Sequence, residues 1–561
     1  MSRLLKTALA GLSLCAAASA GTLHVDASLT TGLNDGSSWA NAFQGDLGVQ
    51  AALAAAVSGD DVFVAQGSYR PTNTGARGTS FSLKNGVTLY GGFLGGEVSP
   101  AERPAFGSAP SILSADLNGD DGSGSLGDNS FHVIRTAGTN ATAVLDGFDV
   151  VGGNASGGGT NNDRGGGILC LGAVSPTVRN VRFMNNRSSF GGAAGYCNNG
   201  AFPTFEDCSF LDGVGGSFGG AFDIANGGPV RYERCYFEGN TAVRAGALEV
   251  FATSGVIVSN CVFRDNTATG SSGGGAIWVG SGGNTKFSNC SIIGNSATNN
   301  AAGGIRNQGA NNTIVANCIL YDNSGGAGAQ GSANQVSPGT NVTYSIVEGG
   351  YTGTGNLAGD PMFVDVVGGD YALTLASPAI DAGDNGSVVP GVTLDFVHNP
   401  RQSDEPSVPD TGSGSAPLVD IGAHEFAKSA FTAVPGCFGN PVVLSATSPS
   451  LALGQPLGLD AASVAFPTGL TLFYLGAEAT DLSGCGVVLP GIGELMLSVV
   501  GGPTFLGAKP MVAGTSSFGA TFPNLPALVG VTFGFQAANV GTLAPGTPIE
   551  LSNLLTATVA P

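Results

Sequence analysis

Residues 259–280 read SNCVFRDNTATGSSGGGAIWVG. Two short motifs in this stretch, called words below, recur along the chain. In the first word an apolar residue follows a cysteine by two positions, and an asparagine follows three positions later. The second word, GGA before an apolar residue, comes after it and recurs in close variants such as AGALEV. The cysteine of the first word recurs at Cys208, Cys235, Cys261, Cys290 and Cys318. Successive cysteines of this series are 26 to 29 residues apart. A repeat of this length, with strand-like alternation and no helical segment inside it, is typical of one coil of a parallel β-helix.

Equivalent residues of successive coils lie above one another, about 4.8 Å apart. The five cysteines are therefore expected to form an inward-facing ladder that packs as small hydrophobic groups. The asparagines should stack with amide-to-amide hydrogen bonds, and the glycine pairs should permit positive-φ turns. A disulfide framework is the alternative for exported cysteines. Stacked neighbours point the same way, however, which is poor disulfide geometry, so the sequence favours free buried thiols.

The resulting fold class is all-β: a right-handed parallel β-helix of roughly a dozen coils with an N-terminal capping helix, followed by a C-terminal β-sandwich. The capping helix is predicted near residues 46–57, where it would cover the edge of the first coil. The predicted organisation is a signal peptide at 1–20, the cap at 21–60, the β-helix at 61–359, its closing segment at 360–428 and the sandwich at 429–561.

Composition and charge restrict the partners. The 561 residues include 93 glycines, only 11% are charged, and the formal net charge is −20. Such an acidic chain is a poor ligand for nucleic acid or for an anionic membrane. It is compatible with a divalent cation or with a neutral polysaccharide, whereas a strongly acidic polysaccharide would need a bridging cation.

The first twenty residues are typical of an export signal. Arg3 and Lys6 precede an apolar run, and Ala18, Ser19 and Ala20 offer a small-residue cleavage site. Later apolar runs are interrupted by glycine or polar residues, so no integral membrane segment is expected after signal cleavage. The sequence therefore predicts a secreted or cell-surface protein.

Several segments resemble known families. The words DGSSWANAFQ, LYGGF and ILSADLNGDD resemble secreted right-handed parallel β-helix proteins of the pectate-lyase-like superfamily. The coupled GGA-I and F-x-x-N words are similar to the repeats of polymorphic outer membrane proteins. The segment DPMFVDVVGGDYALTLASPAIDAGDN, with VDIGAHEF after it, resembles the closing segment of choice-of-anchor Q proteins. These resemblances imply surface or secreted proteins, some adhesive and mostly without assigned activity.

The last part of the chain, residues 429–561, has few charged residues and short apolar segments between glycine and proline turns, which favours a β-sandwich. Cys437 and Cys485 are candidates for a disulfide there, because no repeat forces them into a stack. So few charges suggest a surface covered by a partner or by self-association, although a serine- and threonine-rich surface would explain the composition equally well.

No catalytic residue is predicted. Enzymes of the resembled superfamily use Ca²⁺-holding aspartates beside an arginine or lysine base, or clustered aspartates that act as acid and base. Neither set is present as a motif. The residues that alternate outward on neighbouring coils are instead a candidate glycan-binding face: Arg179, Arg182, Glu206, Arg231 and Glu233. The alternative is ordinary solvated cross-strand pairing of charges.

The loop DLNGDDG, residues 116–122, spaces side-chain oxygens as calcium loops do. Its candidate Ca²⁺ ligands are Asp116, Asn118, Asp120 and Asp121. It is not an EF-hand, because its glycine falls one place late and no glutamate closes it, so an ordinary Asx-rich turn remains the alternative. No cofactor is required by the sequence.

Three functions are compatible with these features. The favoured one is a non-catalytic binding or structural protein, adhesin-like, directed at a polysaccharide or another cell-surface component. The second is a polysaccharide lyase or glycoside hydrolase with a divergent site. The third is a self-assembling surface-layer component that associates through its C-terminal domain.

Overall fold

The computed structural model describes residues 21–426, apart from 160, 253–254, 281–284, 299–301, 309–312 and 327–330, and beyond residue 426 only the backbone of the strands. The chain forms two compact units. The first contains the described residues up to Pro361 with Asp381–Asp404 and Val408–His424. The second contains Met362–Ile380, Glu405–Ser407 and the chain from Glu425 onward.

The first unit is a right-handed parallel β-helix built from three stacks of short parallel strands. The first stack has eleven strands, each in register with the next. Its strands are Thr22–Asp26, Asp61–Ala65, Thr88–Phe93, Val144–Val151, Thr177–Met184, Thr204–Glu206, Arg231–Glu233, Val256–Ser259, Thr285–Ser288, Ile314–Ala316 and Asn341–Thr343. Eleven layers agree with the number of coils expected from the repeat.

The second and third stacks complete each coil. The second contains Gly67–Tyr69, Ser111–Ser114, the distal halves of Val144–Val151 and Thr177–Met184, and then Ser209–Leu211, Tyr236–Glu238, Val262–Arg264, Ser291–Ile293, Ile319–Tyr321 and Ile346–Val347. The third contains Phe81–Ser82, Ile134–Thr136, Ile168–Leu171, Gly195–Asn198, Phe222–Ala225, Leu248–Phe251, Ile277–Val279 and Ile305–Asn307. Shorter strands at the remaining corner are Asn154–Ala155, Arg187–Ser188, Thr241–Ala242, Thr267–Ala268 and Ser296–Ala297.

The capping helix spans Gly48–Ala55 and lies over the first coil, with Val49, Ala52 and Leu53 buried beneath it. It is the longest helix of the described chain at eight residues, far short of the roughly twenty needed to cross a bilayer. The short helix Ser332–Gln335, the strand Phe43–Gln44 and four 3₁₀ turns complete this unit. Those turns are Trp39–Asn41, Pro100–Glu102, Asp121–Ser123 and Asn385–Ser387.

The repeated cysteines form one inward column. Cys208, Cys235, Cys261, Cys290 and Cys318 are all buried and all free, and Cys170 pairs in register with Cys197. A left-handed residue precedes each column cysteine, such as Asn260 with φ 51°. The thiol spans that turn: Cys261 Sγ donates to the carbonyl of Ser259 at 3.1 Å. Burial disfavours the charged thiolate and raises the pKa of the Cys208 and Cys261 thiols.

Beside the thiols runs an aromatic column in which Phe210 stacks on Phe237 at 4.6 Å and Phe237 on Phe263 at 4.4 Å. The asparagine column runs along a corner of the coil, where Asn240 Nδ2 donates to Asn266 Oδ1 at 2.9 Å. Gln335 ends this column. Together the columns give the coils that they cross an apolar centre and a hydrogen-bonded polar corner.

The glycine pairs only partly follow the expectation of positive φ. Gly192, the second glycine of its pair, and Gly219, the first glycine of its pair, have φ of 61° and 47°. Other glycines of these motifs are needed for close packing instead, because a Cβ on Gly246 would lie 1.9 Å from the carbonyl oxygen of Gly275 on the next coil. Stacked backbones approach too closely there for any side chain.

In the second unit, Phe363–Asp365 pairs antiparallel with Asp370–Leu373. Its C-terminal strands form a nine-stranded antiparallel sheet and one hairpin. They are Thr432–Val434, Val443–Ala446, Pro456–Ala462, Thr468–Gly476, Val487–Leu489, Gly493–Leu495, Thr504–Val512, Thr515–Thr521, Thr532–Gly541, Ile549–Leu551 and Leu554–Thr558. The pairing of this sheet into a sandwich stays a prediction. The candidate disulfide cysteines, Cys437 and Cys485, and residues 1–20 lie outside the described residues.

Candidate functional site

Four of the five candidate glycan-binding residues lie on the outer face of the first stack, and Arg182 lies on the adjoining second-stack half of the same strand as Arg179. Arg179 is in register with Glu206, and Glu206 with Glu233, on three successive coils. These residues, stacked one per coil, form a row, and the row continues one coil earlier to Asp146, opposite Arg179. Arg182 lies on the same strand as Arg179 and opposite Asp149. The structure therefore brings the outward charges of neighbouring coils together and adds two aspartates that the sequence analysis did not select.

The two added aspartates anchor the arginines. Asp146 and Asp149 are only 3% and 4% exposed. Arg182 donates to both carboxylate oxygens of Asp149, at 2.6 and 2.7 Å, in a bidentate pair. Arg179 Nε donates to Asp146 at 2.7 Å, while Arg103 reaches the other oxygen of Asp146 from an inserted loop. These ion pairs raise the pKa of Arg182 and hold the guanidinium groups in fixed positions.

A cleft of about 190 Å³ opens beside these pairs. Residues 94–110, inserted between Thr88–Phe93 and Ser111–Ser114, form one wall, and Phe106 on that insertion is 49% exposed. The Arg182 guanidinium lies 5.3 Å from the Phe106 ring centre. Gly147, with φ of 87°, leaves space for the Arg103 side chain, because a Cβ at position 147 would lie 2.5 Å from Arg103 Nη1. We call this feature the Arg182 cleft; its charged and aromatic lining residues are Arg103, Phe106, Asp146, Asp149 and Arg182.

The later part of the row is more enclosed. Arg231 donates to Glu233 at 2.7 Å, and Arg234 donates to Glu233 at 2.5 Å and to Asp207 at 2.8 Å. Glu206 differs, since no described side chain donates a hydrogen bond to its carboxylate. Burial, then the charge of Glu233, raise the pKa of Glu206. Glu206 therefore keeps its proton to a higher pH than an ordinary glutamate does.

The parts of the closing segment that belong to the first unit, Asp381–Asp404 and Val408–His424, limit the open surface. Their carbonyl groups accept from the left-handed asparagines of three successive coils, Asn260 to Leu394, Asn289 to Asp420 and Asn317 to Asp384. The row positions beside them, Ser259 and Ser288, are 1% and 0% exposed. The open part of the face therefore extends only over the coils of Asp146, Arg179 and Glu206.

A second charged cluster lies on the outer face of the third stack. Asp223 and Glu249 are in register on adjacent coils and are almost completely buried. Arg244 forms an ion pair with Glu249, and its guanidinium lies 4.0 Å from the Trp278 ring. Desolvation, followed by the charge of Glu249, raises the pKa of Asp223 well above its ordinary value. The alternation of residues in the sequence did not reveal this cluster. The segments DIA (223–225) and EVF (249–251) do, however, occupy equivalent positions of the repeat.

The candidate calcium ligands lie in one loop but do not all converge. Asp116 Oδ1 accepts from the backbone N–H groups of Gly119 and Asp120, at 2.6 and 3.2 Å. Asn118 is exposed, and its backbone, rather than its side chain, contacts the acidic groups. Asp128, which the sequence analysis did not select, joins Asp116 and Asp120 in a group whose oxygens lie within 4.8 Å of one another.

Comparison with known proteins agrees with this architecture. Residues 120–292 match the family model described as the right handed beta helix region. A segment of 115 residues is 32% identical to metabotropic glutamate receptor-like protein R of Dictyostelium discoideum. That segment is 20% of this chain and 7% of the length of that protein, so the likeness is confined to a small part of it.

Proposed function

We propose that the protein is a non-catalytic carbohydrate-binding β-helix protein of the cell exterior, and that the Arg182 cleft with the open row beside it holds the glycan. The observation that carries this proposal is an exposed aromatic ring, Phe106, beside guanidinium groups fixed by buried carboxylates. Binding clefts that combine an apolar surface with a few fixed polar groups suit sugars, which have apolar faces and hydroxyl edges.

Fixed guanidinium groups are well suited to hydroxyl groups. Arg179 uses Nε for Asp146, and its side chain is 38% exposed, so both Nη groups are available to a ligand. Asp146 and Asp149 hold the arginines in place before any ligand arrives, which lowers the entropy lost on binding. The net charge of −20 favours a neutral over an acidic polysaccharide.

The same contacts argue against Asp146 and Asp149 as catalytic acids or bases, because arginine donors already occupy both carboxylates. A second candidate function, glycoside hydrolysis, is favoured by one residue. Glu206 has a raised pKa and lies in register with a second carboxylate, Glu233, which is a feature of the acid in glycosidases.

One experiment separates the two candidates. The whole chain is incubated with a panel of soluble neutral and acidic polysaccharides, with Ca²⁺ or with a chelator, and retention and new reducing ends or unsaturated uronates are measured in the same samples. Retention without product supports the binding function. Product that disappears in Glu206→Gln supports hydrolysis, and absence of both signals contradicts both candidates.

Export and assembly are further parts of the proposal. The chain is proposed to leave the cytoplasm through residues 1–20 and to attach to a surface or to itself through residues 429–561. Cell fractionation with N-terminal sequencing tests the first part, where a start at Gly21 is expected. Sedimentation of the whole chain against a chain ending at residue 428 tests the second.

A further inference from the structure

We propose that the loop of residues 116–129 holds a divalent cation, Ca²⁺, through Asp116, Asp120 and Asp128. Their carboxylate oxygens lie within 4.8 Å of one another, which fits oxygen ligands at about 2.3–2.6 Å from a shared ion. This inference is independent of the proposed carbohydrate binding.

The stronger observation is a set of buried oxygens that have no donor. Oδ1 of Asp120, Asp121 and Asp128 and Oδ1 of Asn129 are shielded from solvent and accept no hydrogen bond. Asn129 is completely buried, and its Nδ2 donates at 3.1 Å to Asp121, the neighbour of Asp120 in this loop. Buried acceptors without partners are costly, and a cation that several of them share removes that cost.

The neighbouring arginines do not supply the missing donors. Arg70 Nη1 donates to the carbonyl of Leu117 at 2.5 Å, and Arg77 Nε donates to the carbonyl of Asn129 at 2.6 Å. Both guanidinium groups thus flank the loop and hold its backbone. The positive charge that the converging carboxylates require is therefore assigned to a bound ion.

Hydrogen bonds fix the loop of residues 116–129 at its base and to a neighbouring strand. Ser130 N donates to the carbonyl of Ala115 at 2.9 Å and closes the base of the loop. Asn129 Nδ2 donates to the carbonyl of Gly152 at 2.6 Å, which fixes the loop to the end of the strand Val144–Val151. Several carboxylates converging in one loop suit Ca²⁺ better than Mg²⁺, which keeps most of its water ligands.

The test measures Ca²⁺ binding to the whole chain by equilibrium dialysis, and thermal unfolding and limited proteolysis with and without a chelator. The variant combines Asp120→Asn with Asp128→Asn, which leaves the Asp116 backbone contacts in place. The matched control is Asp322→Asn, at an exposed left-handed turn that asparagine tolerates. Mg²⁺ is measured in parallel.

Ca²⁺ is expected to protect residues 116–129 from proteolysis and to raise the folded-to-unfolded ratio about 100-fold at 100 times its dissociation constant. The double variant should lose one bound Ca²⁺ and this shift, while the control keeps both. The proposal is overturned if Ca²⁺ does not change wild-type stability, or if the double variant binds as much Ca²⁺ as the wild type. Stabilisation of the double variant without any Ca²⁺ effect on the wild type would identify simple charge repulsion in the loop.

Discussion

Asn266 donates from Nδ2 to Oδ1 of Asn295 on the next coil, at 2.9 Å, and accepts from Asn240 on the previous coil at the same distance. It also donates to the carbonyl of Phe237 at 2.9 Å. The amide thus joins three coils at a buried corner. Because amide columns of this kind leave few polar groups unpaired, they stabilise one register of stacking over others.

Asn266→Ala is expected to lower the free energy of unfolding by about 3 kcal/mol or more, because it leaves several buried donors and acceptors without partners. Asn73→Ala, an exposed asparagine outside the column, should change it by less than about 0.5 kcal/mol. Urea unfolding followed by circular dichroism measures both. Equal midpoints for the two variants would show that the column does not stabilise the fold.

Cys261→Ser should retain the fold at a cost of about 1 kcal/mol, because serine already occupies this column at Ser345. There the hydroxyl donates to Thr343 at 2.8 Å and accepts from Cys318 N at 3.0 Å. Cys261→Val should cost more, since it removes the acceptor of the Cys235 N–H group. Urea midpoints compare the two, and a valine variant as stable as the serine variant would contradict this role.

Arg182→Ala is expected to destabilise the protein by about 3–5 kcal/mol, because the buried Asp149 carboxylate loses its bidentate partner. The double variant Asp149→Ala with Arg182→Ala should recover a large part of that loss. A double-mutant cycle, measured by thermal unfolding, gives the coupling free energy between the two side chains. Additive effects would mean that the pair does not act as a unit.

Asp223→Asn should make stability less dependent on pH. Because the pKa of Asp223 is raised in the folded state, its contribution is complete below the ordinary value of 3.8 and is lost as pH rises toward the raised pKa. The variant should therefore match the wild type near pH 4 and gain up to about 1.4 kcal/mol per pH unit above it. Unfolding at pH 4, 6 and 8 checks this, with Asp322→Asn as the control, and a variant that loses stability at pH 8 would contradict it.

The repeated words were sufficient to predict the coils, the thiol column and the asparagine column, because stacking converts equal spacing in sequence into neighbours in space. Asp146 and Asp149 were missed because their coil has Phe148 in place of the cysteine. Aligning VLDGFDVV (144–151) with TVRNVRFM (177–184) in the sequence would have placed Asp146 and Asp149 opposite arginines of the next coil.

Other parts of the site depend on contacts that spacing does not encode. Phe106 reaches the row from an insertion between strands, and the closing segment meets Asn260 from Leu394, 134 residues away. Asp128 lies in the same loop as the candidate calcium ligands, yet its approach to Asp116 depends on the loop closing at Ser130. Such long-range closure is set by tertiary packing, not by local sequence pattern.

Affinity electrophoresis of the whole chain in gels that contain neutral polysaccharides is the most direct measurement of carbohydrate binding at the Arg182 cleft. Phe106→Ala and Arg179→Gln are compared with Arg187→Gln, an exposed arginine on a different strand stack. At least one polysaccharide should retard the wild type and the Arg187→Gln control. Phe106→Ala, in the cleft, and Arg179→Gln, on the row beside it, should each bind about tenfold more weakly, a loss of about 1.4 kcal/mol. Equal retardation of all four proteins, or of none, would contradict binding at this cleft.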